Sequence, residues 1–231
     1  MGPTLAITTK KPDQRSPISI YEIQQKGVIG ALHDRVISNR RTRVLADHLA
    51  SLIPAGSHVL DVGCGDGGID CLIKKRRPDV AIEGIDPLLR PIVLIPVRPF
   101  DGENIPFPDR SFDVVMFVDV LHHTSDPRVL LREAVRVGKT VLIKDHFCEG
   151  FLAGETLRLM DWVGNARHGV ALPYNYWSKA AWTTAFEHLG LHTREIKFKL
   201  NLYPIPLAWF FDRSLHFIAL CERGNPTASP H

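Results

Sequence analysis

Several features that mark large classes of protein are scarce or missing in this 231-residue sequence. No apolar run reads as a bilayer-spanning helix: the most apolar late stretch, NLYPIPLAWFFDRSLHFIAL at 201–220, is interrupted by prolines and by Asp212–Arg213. No stable membrane insertion is expected. The opening residues, MGPTLAITTKKPDQRSP, lack the apolar core of a signal peptide, so 1–17 are read as a disordered leader. Cysteine is sparse. Cys64, Cys71, Cys148 and Cys221 show no C-x-x-C pairing, which suggests neither a zinc site nor a disulfide framework, and no metal is expected. Free thiols suit a reducing cytoplasm. Charge of one sign is also lacking: a net +3 is far from the strongly basic balance of nucleic-acid-binding domains, and no nucleic-acid partner is expected.

What is present is ordinary globular material, 45% hydrophobic, at a length suited to one large domain. Residues 18–53 have helical spacing, with Val36, Leu45, Leu49 and Leu52 among the apolar positions and Arg40, Arg41 and Arg43 read as a solvated face. Apolar runs and helical segments then alternate. HVLDVG is a strand, GIDCLIKKRR a helix, VAIEGID a strand, FDVVMFVD a strand, DPRVLLREAVRV a helix and KTVLIKD a strand. Buried apolar strands alternating with helices mean a doubly wound α/β fold with a parallel sheet. Helices near 152–163 and 178–189 follow, then strands near 191–199 and 214–222. The rhythm breaks once: six residues separate Asp86 from Val93, too few for a helical crossover. Pro91, Pro96 and Pro99 confine VLIPV to an edge strand or an extended loop.

The stretch LDVGCGDGG at 60–68 carries the first chemical signal. A glycine-rich turn between a strand and a helix offers backbone N–H groups to a ligand at the positive end of the helix dipole. Gly63, Gly65 and Gly68 fit a dinucleotide turn, whereas Asp61, Gly63, Gly65 and Gly67 fit an S-adenosylmethionine turn. The glycines alone leave both open. Asp86, at the end of the second strand, can hold ribose hydroxyls in either cofactor. Asp61 within the strand end, a second acid at Asp101 before the fourth strand, and the lack of a nicotinamide-side substrate domain favour S-adenosylmethionine.

Together VLDVGCGDGG, GID, FDGENIPFPDRSFDVVMFVDVLHH and LLREAVRV resemble the successive motifs of class I S-adenosylmethionine-dependent methyltransferases, in the branch that includes ubiquinone/menaquinone C-methyltransferases. The resemblance covers roughly residues 58–146. It implies a Rossmann-like seven-stranded sheet in the order 3-2-1-4-5-7-6, strand 7 antiparallel, with a shortened connection between strands 2 and 3. It also implies one domain over 18–231, with an N-terminal helical lid (18–53) and a substrate-covering insert (about 150–180). By the same resemblance Asp61, Gly63, Cys64 and Gly65 would hold the methionine part of S-adenosylmethionine. Asp86 and Pro87 would take the ribose and adenine, Asp101 and Gly102 the adenine edge, and Val118 and His123 would flank the sulfonium. The product would be S-adenosylhomocysteine.

The acceptor is expected near the carboxyl ends of the fourth and fifth strands, where open α/β sheets bind ligands. His146 is the first candidate for a general base, with Asp145 as its orienter, and His168 is the second. His122, at the exit of the fourth strand, is grouped as a substrate contact with Trp162, Asn165, Tyr174, Asn175 and Tyr176 of an aromatic-polar segment. A small-molecule acceptor is the leading expectation, methylated at oxygen or carbon, with aromatic or lipophilic metabolites as candidates. A nucleic-acid methyltransferase and a non-catalytic cofactor-fold scaffold stay open, as does the oligomeric state.

Overall fold

The alternating runs become strands of one sheet in the computed structural model, which describes residues 39–165, 173–212 and 215–224. In chain order the elements are α1 (Asn39–Leu52), β1 (His58–Val62), α2 (Gly68–Arg76), β2 (Ala81–Asp86), β3 (Val97–Pro99) and β4 (Phe112–Val118). A 3-10 turn (Leu121–His123), α3 (Pro127–Val137), β5 (Gly138–His146) and α4 (Ala153–Asn165) follow. The chain continues with α5 (Lys179–His188), β6 (Leu191–Lys197), α6 (Ala208–Phe211) and β7 (His216–Arg223). The sheet order is β3-β2-β1-β4-β5-β7-β6. Pairings are parallel from β3 through β5, and β7 runs antiparallel to both of its neighbours. Order and direction match the expectation. The leader and the first part of the expected lid lie outside the described residues.

Because successive strand residues face opposite sides, the sheet buries two apolar surfaces. Leu60, Val62, Val115, Phe117, Val141 and Ile143 pack with Leu130, Leu131, Trp182 and Phe186 of α3 and α5. Val59, Val114, Met116 and Leu142 face the other way, onto Leu45 and Leu49 of α1 and Ile73 of α2. The helices begin where their sequences allow. Asp126 caps α3 by accepting from the Arg128 N–H at 3.0 Å, and Pro127 fills the first helical position, where no N–H is needed. Ser178 caps α5 through the Ala181 N–H at 3.2 Å.

VLIPV, open to an edge strand or an extended loop, supplies only Val97 to the third strand. That strand is the three-residue edge Val97–Pro99, and the residues before it form a tethered connection. The Leu94 N–H donates to the Asp66 carbonyl at 2.8 Å, and the Gly84 N–H donates to the Pro96 carbonyl at 2.9 Å. Ile95 is drawn inward, so that a Cβ on Gly67 would lie 2.5 Å from its side chain. The short connection thereby buttresses the glycine turn.

Candidate active site

The turn after β1 is shaped by backbone conformations that favour glycine. Gly63, Gly65 and Gly67 have φ of 77°, 60° and 76°. The Gly63 N–H donates to the Ile85 carbonyl at 2.7 Å, and the Gly65 N–H donates to Asp86 Oδ2 at 2.8 Å. Asp86 Oδ1 accepts from the Leu88 N–H at 2.7 Å. A Cβ on Gly65 would meet nothing within 4 Å, because this residue faces an open cleft. The cleft has a volume of about 550 Å³. Gly63, Gly65, Asp86 and Pro87 line one part of it, Asp101 and Gly102 another, and Asp119, Val120 and His123 the β4 side.

Two carboxyl groups lie beneath the turn. Asp61 and Asp70 are both buried, at 3% and 0% exposure. Burial, and then the neighbouring Asp70, raise the Asp61 pKa well above the usual carboxylate range; burial also raises Asp70 to about 6. Asp101, in contrast, is exposed and held locally: Oδ1 accepts from the N–H groups of Glu103 and Asn104, and Oδ2 from the Asn104 amide at 2.8 Å. These bonds keep its pKa low.

At the exits of β4 and β5 and the start of β7 a buried polar cluster adjoins the cleft through Asp119 and His123. Lys144 is fully buried and bonds Asp119, whose other oxygen takes Arg41 of α1. Asp119 has φ of 57°, an uncommon conformation for a residue with a side chain and one found disproportionately at functional sites. Burial opposes its ionisation, but Lys144 and Arg41 outweigh that and hold its pKa low. His122 Nδ1 is 2.7 Å from Asp145 Oδ1, and its Nε2 is 3.3 Å from Asp161 Oδ2. Burial alone would lower the His122 pKa; the two carboxylates raise it to about 10. His146 donates its N–H to Asp145 Oδ1 at 2.8 Å, with Nδ1 3.3 Å from the same oxygen. Burial and the Lys144 charge push its pKa well below the usual histidine value. His216 of β7 stands against His146, ring centroids 4.8 Å apart.

Comparison with known proteins decides the family. The family model described as a methyltransferase domain matches residues 36–196. This chain belongs to that methyltransferase family. It is 32% identical over 111 residues to 27-O-demethylrifamycin SV methyltransferase of Amycolatopsis mediterranei, covering 42% of this chain and 40% of that protein. It is 33% identical over 136 residues to 2-methyl-6-phytyl-1,4-hydroquinone methyltransferase of Synechocystis, covering 55% and 38%. The match thus spans about two fifths of the length of these curated relatives. Geranyl diphosphate C-methyltransferase of Streptomyces coelicolor, solved with Mg²⁺, geranyl diphosphate and S-adenosyl-L-homocysteine, superimposes with a TM-score of 0.57. That alignment has 13% identity and covers 78% of each chain, so the likeness is one of fold.

In this chain the residues expected to hold a cofactor separate into two groups. Gly63, Gly65, Asp86, Pro87, Asp101, Gly102 and His123 share the cleft; Asp61, Cys64 and Val118 are not among its lining residues. Cys64 packs toward Gly84, where a Cβ would lie 2.3 Å from its Sγ. On the β4 side Val120 lines the cleft. Among the acceptor candidates, His122, Asp145 and His146 come together in the buried cluster. Tyr176 stacks on His122 at 5.3 Å and donates its hydroxyl to Asp161. Asn175 is tied back to the β4 loop, its side-chain amide donating to the carbonyls of Thr124 and Ser125 at 3.2 and 3.1 Å. The Tyr174 ring lies under the Arg158 guanidinium at 5.6 Å, and Trp162 is 60% exposed on α4. Asn165 ends α4, and His168 lies outside the described residues. Sequence reasoning missed Lys144, Asp161, His216 and Asp70, and it set Arg41 on a solvated face.

Proposed function

We propose that this chain is an S-adenosylmethionine-dependent methyltransferase acting on a small-molecule acceptor at oxygen or carbon. The observation that carries the reading is one continuous cleft, with positive-φ glycines and Asp86 at one part and Asp119 and His123 at another, adjoining the buried cluster. Its volume of about 550 Å³ lies within the range of small-molecule sites. The open space above Gly65 fits a ligand passing close to the backbone. Asp86 and Asp101 keep lone pairs beyond those used locally, so each can accept from ribose or adenine. The bound S-adenosylhomocysteine of the Streptomyces coelicolor neighbour supports the same cofactor here.

The cofactor supplies a methyl group already activated by positive sulfur. The chain has to align the acceptor and exclude water. Asp119 and His123 border the space where the acceptor would approach. His146 is our candidate base: with its Nδ1 proton directed to Asp145, Nε2 retains the lone pair that takes the acceptor's proton. Asp145 fixes the His146 and His122 rings together. Arg41 and Lys144 hold Asp119 in place.

Calorimetry with S-adenosylmethionine, S-adenosylhomocysteine and NADH tests the reading. The first two should bind, and Gly65→Val should abolish binding while leaving the circular dichroism spectrum unchanged. Binding of NADH alone would overturn it.

A further inference from the structure

Nδ1 of His123 is buried without a hydrogen-bond partner among the described residues, and Nε2 of His122 has only the 3.3 Å approach of Asp161 Oδ2, which misses hydrogen-bond geometry. Buried polar atoms left in this state carry a desolvation cost and call for an explanation. One ring nitrogen each of His122 and His123 and a carboxylate oxygen of Asp161 lie within 4.8 Å of one another. We propose that His122 Nε2, His123 Nδ1 and the Asp161 carboxylate bind a divalent first-row transition-metal ion.

The surroundings suit such an ion in three respects. Asp145 stands behind His122, 2.7 Å from Nδ1, the outer position from which a carboxylate orients a metal-binding imidazole. The Tyr176 hydroxyl bonds Asp161 Oδ2, restraining the carboxylate. The carboxylates of Asp145 and Asp161 flank the His122 ring, so that position draws positive charge, as a proton on the ring or as a metal on Nε2. The donor set, two imidazoles and one carboxylate, selects iron(II), cobalt(II), nickel(II) or zinc(II) over magnesium and calcium, and leaves further coordination positions free. His122, Asp145 and His146 form a second close group, in which Asp145 Oδ2 is also unpartnered among the described residues, but all three are buried and none lines the cleft, whereas His123 of the first group does. The first group is therefore the better site.

His123 also lines the cleft, so the ion would sit at its acceptor part and act as a Lewis acid toward an acceptor oxygen. That consequence rests on the methyl-transfer reading; metal binding does not.

The test uses the untagged full chain, stripped with a chelator, equilibrated with cobalt(II) and gel-filtered. Retained metal is counted by plasma mass spectrometry, and its ligands are read from the visible spectrum. About one cobalt per chain is expected, with bands of nitrogen- and oxygen-bound cobalt(II). His122→Gln, His123→Gln and Asp161→Asn should each weaken binding at least about tenfold, while His188→Gln, at an exposed position, should bind as the parent does. Substoichiometric cobalt in the parent, or equal retention by all three variants, overturns the site. If a variant fails to fold, the parent spectrum decides: absence of ligand-field bands overturns the proposal. Calorimetry of the stripped chain with S-adenosylmethionine is read separately, so a chain that binds the cofactor but no cobalt loses only the metal.

Discussion

Replacing Asp70 by asparagine should stabilise the protein at neutral pH. Asp70 is fully buried in the first turn of α2, beside buried Asp61. Burial raises its pKa from 3.8 to about 6. At 1.36 kcal/mol per unit, that interval corresponds to about 3 kcal/mol. The sign follows from proton uptake. Between about pH 4 and about pH 6 the folded chain holds a proton that the unfolded chain has lost, so stability falls as pH rises. Above about pH 6 both forms are ionised and the full penalty remains. Asparagine carries no charge, but its buried amide brings unmade hydrogen bonds costing about 1–2 kcal/mol. The net gain is about 1–2 kcal/mol near neutral pH. Urea unfolding at about pH 4.5 and about pH 7.5 measures both quantities. Asp70→Asn should gain most at the higher pH, and the decline of the parent across this window should flatten. A variant less stable at the higher pH, with the parental decline intact, would refute the assignment of a strained acid pair.

Asp119→Asn leaves the wholly buried Lys144 without its carboxylate and should cost about 3–5 kcal/mol, read as a lower denaturation midpoint. Gly84→Ala drives a Cβ to 2.3 Å from Cys64 Sγ and should cost about 1–3 kcal/mol by the same measurement. Asn175→Ala removes two hydrogen bonds to the loop carrying His122 and His123 and should lower stability by about 1–3 kcal/mol. With an identified acceptor it should also lower turnover more than cofactor affinity; unchanged turnover would place Asn175 outside acceptor alignment.

The sheet was legible because its information is local and repeated. Each apolar run between turn residues announces a buried strand, and the motif resemblance supplied the order and the direction of β7. The third strand was legible as an edge, but not in its exact residues, because VLIPV and VRP are equally proline-broken. What decides is that Pro96 presents its carbonyl to Gly84 while Ile95 plugs the glycine turn. The site was half legible. Charged groups at a strand exit drew attention to Asp145 and His146, but Lys144 stands inside an apolar strand, where hydropathy reads only burial. Arg41 has the spacing of a surface arginine, and its partner Asp119 comes from a distant strand. Asp161 lies on α4 with no motif around it. Pairings across elements leave no periodic trace, and such pairings make the cluster.

The position of β7 bears on synthesis. β5 pairs with it from Thr140 opposite Glu222 to His146 opposite His216. As the chain leaves the ribosome, β5 can join β4 at once, but its other edge waits for residues far downstream. During that interval an apolar strand ending in Lys144, Asp145 and His146 presents open backbone groups, the condition that invites pairing with another nascent chain. Arrival of β7 closes that edge and delivers His216 in the same step. A translational pause after β6 should therefore raise chaperone dependence more than a pause after β7.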